Sequence, residues 1–163
     1  MVKMMNKRGF CQTWIKWILT CMSSVAYSFN INGERRGFVK PSRGLRQGDP
    51  LSPYLFLLVT EGFSNLLTKS MQGNRLTGLK VAHSCPALSH LFFADDTLIF
   101  CRANKEEAGE VMQILKQYGE ASGQIVNMEK SSVFFGKNTD EDRRDEISKT
   151  KQIFGSPDGH RKI

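Results

Sequence analysis

Phe93-Ala94-Asp95-Asp96 is the stretch whose residue types point most directly to chemistry. Two adjacent carboxylates repel each other and stabilise nothing locally, while the flanking runs Leu91-Phe92-Phe93 and Thr97-Leu98-Ile99-Phe100 are strongly apolar. Such a pair makes sense where a divalent cation neutralises it, because hard oxygen ligands suit Mg²⁺. Taken alone, four residues of this kind fit a plain, idle Asp-Asp turn better. A second string changes the balance: Arg43-Gly44-Leu45-Arg46-Gln47-Gly48-Asp49-Pro50-Leu51-Ser52-Pro53-Tyr54-Leu55-Phe56. Physically it is a basic loop, opened by glycine, that leads into a capped helix. Its main-chain groups and Gln47 are suited to approach a planar base, and its arginines to reach phosphates.

A third stretch, Ser122-Gly123-Gln124-Ile125-Val126-Asn127-Met128-Glu129-Lys130-Ser131, follows in the same chain. Taken in order, the three resemble the palm of reverse transcriptases, in particular those of non-long-terminal-repeat (LINE-type) retrotransposons of plant genomes. The likeness runs from about Lys3 to Gly136. It implies that Asp95 is the metal-binding aspartate of the catalytic hairpin and Asp96 its neighbour, both vestigial. It also implies that Gln47 and Gly48 lie against the nascent base pair and incoming nucleotide, with Lys130 near the leaving pyrophosphate. Phe93 stands where many relatives carry tyrosine. The family's nucleotidyl transfer uses two Mg²⁺ ions, with a further aspartate ligand from an upstream strand. Here no Asp or Glu precedes Glu34. The expectation is therefore a palm fragment without the first catalytic motif, the fingers or the thumb. The thumb side is matched only faintly, by Ile153-Phe154-Gly155-Ser156-Pro157. Such a fragment does not polymerise alone; it holds one Mg²⁺ weakly at most and requires no cofactor.

Arg43-Gly44-Leu45-Arg46 also resembles the R-x-L-R tetrapeptide of oomycete secreted effectors, downstream of a signal-like start. That start consists of Lys3, Lys7 and Arg8, the apolar Trp17–Met22, and Ser24 and Ala26 spaced for cleavage before Tyr27. The resemblance implies a leader that is removed, entry into a host plant cell (nucleus or cytoplasm), and a host protein partner through which immunity or cell death is altered. Lys16 interrupts the apolar segment and leaves it shorter than the ~7–15 residues a signal needs. The same residues read as an amphipathic helix, with Cys11, Ile15, Ile18, Met22 and Val25 on one face.

The rest of the chain must hold these groups in place. Tyr27, Phe29 and Ile31 alternate with polar residues as in a half-buried strand. Asn32-Gly33 suits a tight hairpin turn, and Gly37-Phe38-Val39 a returning strand. Ser52-Pro53 opens a helix whose apolar face is Leu55, Leu58, Val59, Phe63, Leu66 and Leu67. The acidic turn is flanked by strands, with Phe92, Phe93 and Phe100 as core. A helix then starts at Asn104, with Glu107 completing a capping box, and closes at Ser122-Gly123. Ile125-Val126 and Val133-Phe134-Phe135 predict a last hairpin, and Asp140–Glu146 a solvated helix or loose tail. The class is α+β: helices packed on one face of a small antiparallel sheet. Its parts are a leader or amphipathic helix (1–26), a palm fragment (27–136) and a charged, loosely ordered tail (137–163).

The 163 residues suffice for one domain with a real core, and 40% hydrophobic with 24% charged is globular composition. A net charge of +7 favours a polyanionic partner, here nucleic acid on a residual basic surface. No apolar run approaches the ~20 residues of a transmembrane helix. The four cysteines (Cys11, Cys21, Cys85, Cys101) contain no C-x-x-C pair and read as small buried hydrophobes.

Overall fold

The computed structural model describes residues 1–41 and 44–155, of which 150–155 are described by backbone alone. The fold is α+β, with α1 (Val2–Lys7), α2 (Gln12–Ser23), β1 (Tyr27–Ile31), β2 (Glu34–Val39) and α3 (Ser52–Gln72). These are followed by β3 (His90–Phe93), β4 (Asp96–Ile99), α4 (Lys105–Ser122) and α5 (Glu141–Gly155). The strands form two separate two-stranded antiparallel sheets, β1-β2 and β3-β4. The chain divides into two compact units, Met1–Gly62 and the remainder from Phe63.

In the first unit the amphipathic segment is two helices rather than one. Gly9 turns the chain at φ +80°, a conformation that costs L-residues but not glycine. Met5 of α1 and Ile15 and Ile18 of α2 are buried with Leu55 of α3. Met22 packs at the edge of that cluster, so the middle of the predicted face is core. Cys11 is the N-cap of α2 and is exposed, as are Cys21, Cys85 and Cys101. This corrects the expectation of buried thiols: none is needed to fill either core, which longer apolar side chains occupy.

β1 and β2 meet at Asn32-Gly33, with φ of +53° and +85°, the positive pair of a type I′ turn whose twist matches the strands. Pairing resumes at Glu34 opposite Ile31, three residues earlier than the apolar pattern suggested, because the ladder needs backbone rather than apolar side chains. A register shift between Tyr27 and Phe29 is absorbed at Gly37 (φ +68°), where two residues oppose one in a bulge. The alternating strand is not half-buried: every residue of β1 and β2 is exposed. Alternation marks a face able to be covered, and no described residue of this unit covers it.

In the second unit, Phe63 and Leu67 of α3, Leu76, and Ile114 of α4 form the core. Phe63 is sandwiched between Phe92 (ring centroids 5.4 Å apart) and Tyr118 (4.5 Å), both near parallel. Phe92 and Ile99 put one face of the β3-β4 hairpin on this core. Leu91, Phe93 and Leu98 are exposed on the other face; Phe93, at 81% exposure, is not core as its apolar neighbours implied. Strand side chains alternate, so the run Phe92-Phe93 necessarily divides between faces.

α4 begins where its cap predicts: the Asn104 Oδ1 accepts from the Glu107 N–H (2.8 Å). It ends at Gly123 (φ +76°), whose N–H donates to the Gly119 carbonyl. No hairpin follows among the described residues. The Asn127 side chain instead accepts from the N–H groups of Glu129 and Lys130 and curls the chain into a turn, leaving Ile125, Val133 and Phe134 exposed. The charge-dense run forms α5, which lies against α4 with Ile147 buried. A Lys105–Glu146 ion pair (3.7 Å) adds little at such exposure.

Candidate functional site: the acidic hairpin

The β3-β4 ladder pairs His90 with Ile99, Leu91 with Leu98, Phe92 with Thr97 and Phe93 with Asp96. The two-residue turn between them is Ala94-Asp95. Its first residue has φ +51°, a value for which glycine is the usual solution. A side chain here stores backbone strain of about 1 kcal/mol. The tight turn throws Asp95 to the tip, while Asp96 opens β4 on the exposed face beside Phe93. Both aspartates are exposed, and among the described residues neither carboxylate has a hydrogen-bond or ion-pair partner. No group of three or more His, Cys, Asp or Glu side chains is gathered among the described residues.

Polar contacts fix the base of the hairpin. On the β3 side, the His90 Nε2 lies 2.9 Å from the Ser64 Oγ and its Nδ1 2.7 Å from the Ser89 Oγ. Its ring sits against Phe92, and burial lowers its pKa below the ordinary value. The ladder is prolonged by the Phe100 N–H donating to the Ser89 carbonyl (2.8 Å). Leu79 and Leu88 then exchange two backbone hydrogen bonds (2.7 and 2.8 Å), tying the segment after α3 to the entry of β3.

Two carboxylates of α4 sit beneath. Glu107, 7% exposed, does not reach back to its own cap as a capping box would. It accepts from the Thr77 hydroxyl (2.5 Å), the Thr77 N–H (3.1 Å) and the Arg102 N–H (2.9 Å). Glu110 accepts from the Ser70 hydroxyl and the Arg75 guanidinium, each at 2.7 Å. Burial raises both carboxyls, but these donors and the arginine charges outweigh it, so both lie below the ordinary value of 4.5. The unfolded chain then binds protons more readily than the folded one. Their contribution to stability is complete above about pH 4.5 and is lost as pH falls through the lower folded values. Urea midpoints should therefore decline as pH falls below about 4.5, and Glu110→Gln should flatten that decline; an unchanged slope in the variant would count against the assignment.

The other predicted residues lie apart from the tip. Gln47 and Gly48 occupy an exposed turn of the first unit, with Gly48 at φ +78°. That loop is anchored to α3 in a way the cap pattern did not indicate. Ser52 is helical and donates its hydroxyl to the Arg46 carbonyl (2.6 Å), while the Asp49 Oδ1 accepts from the Leu51 N–H (2.8 Å). Of the tetrapeptide, Arg43 lies outside the described residues, and Gly44, Leu45 and Arg46 are exposed. Lys130 is exposed in the Asn127 turn and makes no ion pair among the described residues. Sequence reasoning missed Glu107 as a long-range acceptor and His90 altogether. The only available signal was Asn104-x-x-Glu107, which points to the wrong partner.

Residues 2–154 match the reverse transcriptase (RNA-dependent DNA polymerase) family. The chain belongs to this family. It is 56% identical over 69 residues to an uncharacterized mitochondrial protein of Arabidopsis thaliana, covering 42% of this chain and 57% of that protein. It is 30% identical over 126 residues to the Transposon TX1 uncharacterized 149 kDa protein of Xenopus laevis, covering 76% of this chain and 9% of that one. The chain thus spans only part of the length of either relative. No solved structure matches it. No described helix of the reverse transcriptase chain is long and apolar enough to cross a membrane.

Proposed function

We propose that this reverse transcriptase chain carries the metal-bearing hairpin and the nucleotide-side loop of a retrotransposon polymerase palm and does not polymerise by itself. The observation that supports this is the tip: a strained two-residue turn presents Asp95 and Asp96 to solvent, with no third ligating side chain gathered beside them among the described residues. Two hard oxygen donors suit one weakly held Mg²⁺. A two-ion centre needs ligands beyond this pair. When bound, the ion would supply charge stabilisation at a phosphate. The chain's own part is to hold the two carboxylates at a fixed turn, with Gln47-Gly48 offered on a separate loop and the exposed Lys130 as a cation for phosphate. The net positive charge provides for nucleic acid as the partner.

The purified chain, given Mg²⁺, nucleotides and a primed RNA, should leave the primer unextended while binding it with an affinity that falls steeply as salt rises. Templated extension would overturn the proposal. Nothing in the fold favours the effector alternative. Ile15 and Ile18 of the leader-like segment are buried against Leu55, and the tetrapeptide lies inside the family-matched span.

A further inference from the structure

We infer that Glu107 is the positioning residue of the acidic hairpin: one buried carboxylate closes both legs of the β3-β4 ribbon at its base. The inference rests on the proposed reading of the hairpin tip as a metal-bearing element. On the exit side, β4 ends at Ile99 and the chain reaches Arg102, whose N–H donates to the Glu107 Oε2 at 2.9 Å. On the entry side, Leu88 precedes β3 and is locked by two backbone hydrogen bonds to Leu79. Thr77, two residues before Leu79, delivers both its hydroxyl and its N–H to the same carboxylate, at 2.5 and 3.1 Å. Glu107 thus gathers three donors from segments 25 or more residues apart in sequence, as Thr77 and Arg102 are.

A two-stranded ribbon is not stable by itself in water and takes its orientation from what holds its ends. Phe92 and Ile99 hold one face of this ribbon by apolar contact, which permits sliding, and the His90–Ser64 contact (2.9 Å) ties only the β3 leg, to α3. Three directional hydrogen bonds to an ionised group do not permit sliding. Glu107 is also well placed to keep its charge, on the first turn of α4, where the helix dipole favours an anion. Its backbone is fixed by the Asn104 cap, so its side chain need not serve the helix. The carboxylate touches neither aspartate; it acts on them through the strand ends.

The test is hydrogen exchange on the full chain, comparing peptides over the hairpin (88–102) with peptides over α3 and the Ile114 region of α4. In Glu107→Gln the amide group presents N–H where three donors converge. Exchange across the hairpin should rise about ten-fold, with the two helices unchanged. Thr77→Val, which removes one donor and keeps the fold's shape, should give a smaller rise confined to the same peptides and decides the matter if Glu107→Gln does not fold. Equal loss of protection in hairpin and helices, or no loss in the hairpin, would overturn the inference. Mn²⁺ titration separates the underlying reading from the clamp. If Asp95→Asn with Asp96→Asn leaves Mn²⁺ binding unchanged, the metal-bearing reading fails, while the exchange result still judges Glu107. If the tip does bind Mn²⁺, Glu107→Gln should weaken that binding about ten-fold; unchanged binding would deny Glu107 its positioning role.

Discussion

Gly78→Ala should destabilise the second unit by roughly 3 kcal/mol, a large loss for the addition of one methyl group. Two causes add. Gly78 sits at φ +70°, where a side chain is strained whatever the available space. An added Cβ would also lie 2.7 Å from the Leu88 carbonyl oxygen and 3.1 Å from its carbon. That carbonyl accepts from the Leu79 N–H at 2.7 Å, so relieving the clash means giving up the bridge that enters β3. Met71 also approaches to 3.3 Å, but a methionine end can swing away and a main-chain carbonyl in a bridge cannot. Urea unfolding followed by far-UV circular dichroism would measure the effect. Tryptophan fluorescence would not, because the only two tryptophans, Trp14 and Trp17, are in α2 of the first unit. A loss below about 1 kcal/mol would show that the bridge relaxes without cost.

Leu67→Ala should lose about 3 kcal/mol, within the 2–5 kcal/mol that burial and cavity terms together give for such truncations. Leu67 is 0% exposed and packs with Phe63, Leu76 and Ile114. The stacked rings of Phe92, Phe63 and Tyr118 flank the same core and leave little freedom to collapse into the space. The control is on the same helix: Leu57 is 62% exposed, and Leu57→Ala should change stability by less than about 0.5 kcal/mol. The two substitutions delete the same atoms, so a similar cost for both would mean that burial does not set the difference.

Elements specified by neighbouring residues were legible in the sequence. Asn32-Gly33 forces its hairpin, Asn104 starts α4, Gly123 stops it, and the spacing of Leu55, Phe63 and Leu67 lays down the buried stripe of α3. The acidic tip was legible for the same reason, as a polar interruption between two apolar runs. What failed depended on partners distant in sequence. The alternation of Tyr27, Phe29 and Ile31 shows that a face can be covered, not that anything covers it. Val133-Phe134-Phe135 has strand character and the predicted turn at Asn127 does form, yet no strand pairs across it among the described residues. Glu107 was assigned its nearest acceptor role, because a pattern three residues long cannot reveal that Thr77 waits thirty positions upstream.

The elements whose backbones lie against one another are consecutive in the chain: α1 with α2, β1 with β2, β3 with β4, and α4 with α5. The consequence is kinetic. Closing a short loop costs little entropy, so each pair can assemble as soon as its own residues are available, within microseconds for a hairpin. These local pairs should form first as the chain leaves the ribosome, while the two cores wait for later residues, Leu55 to cover Met5 and Ile114 to cover Phe63.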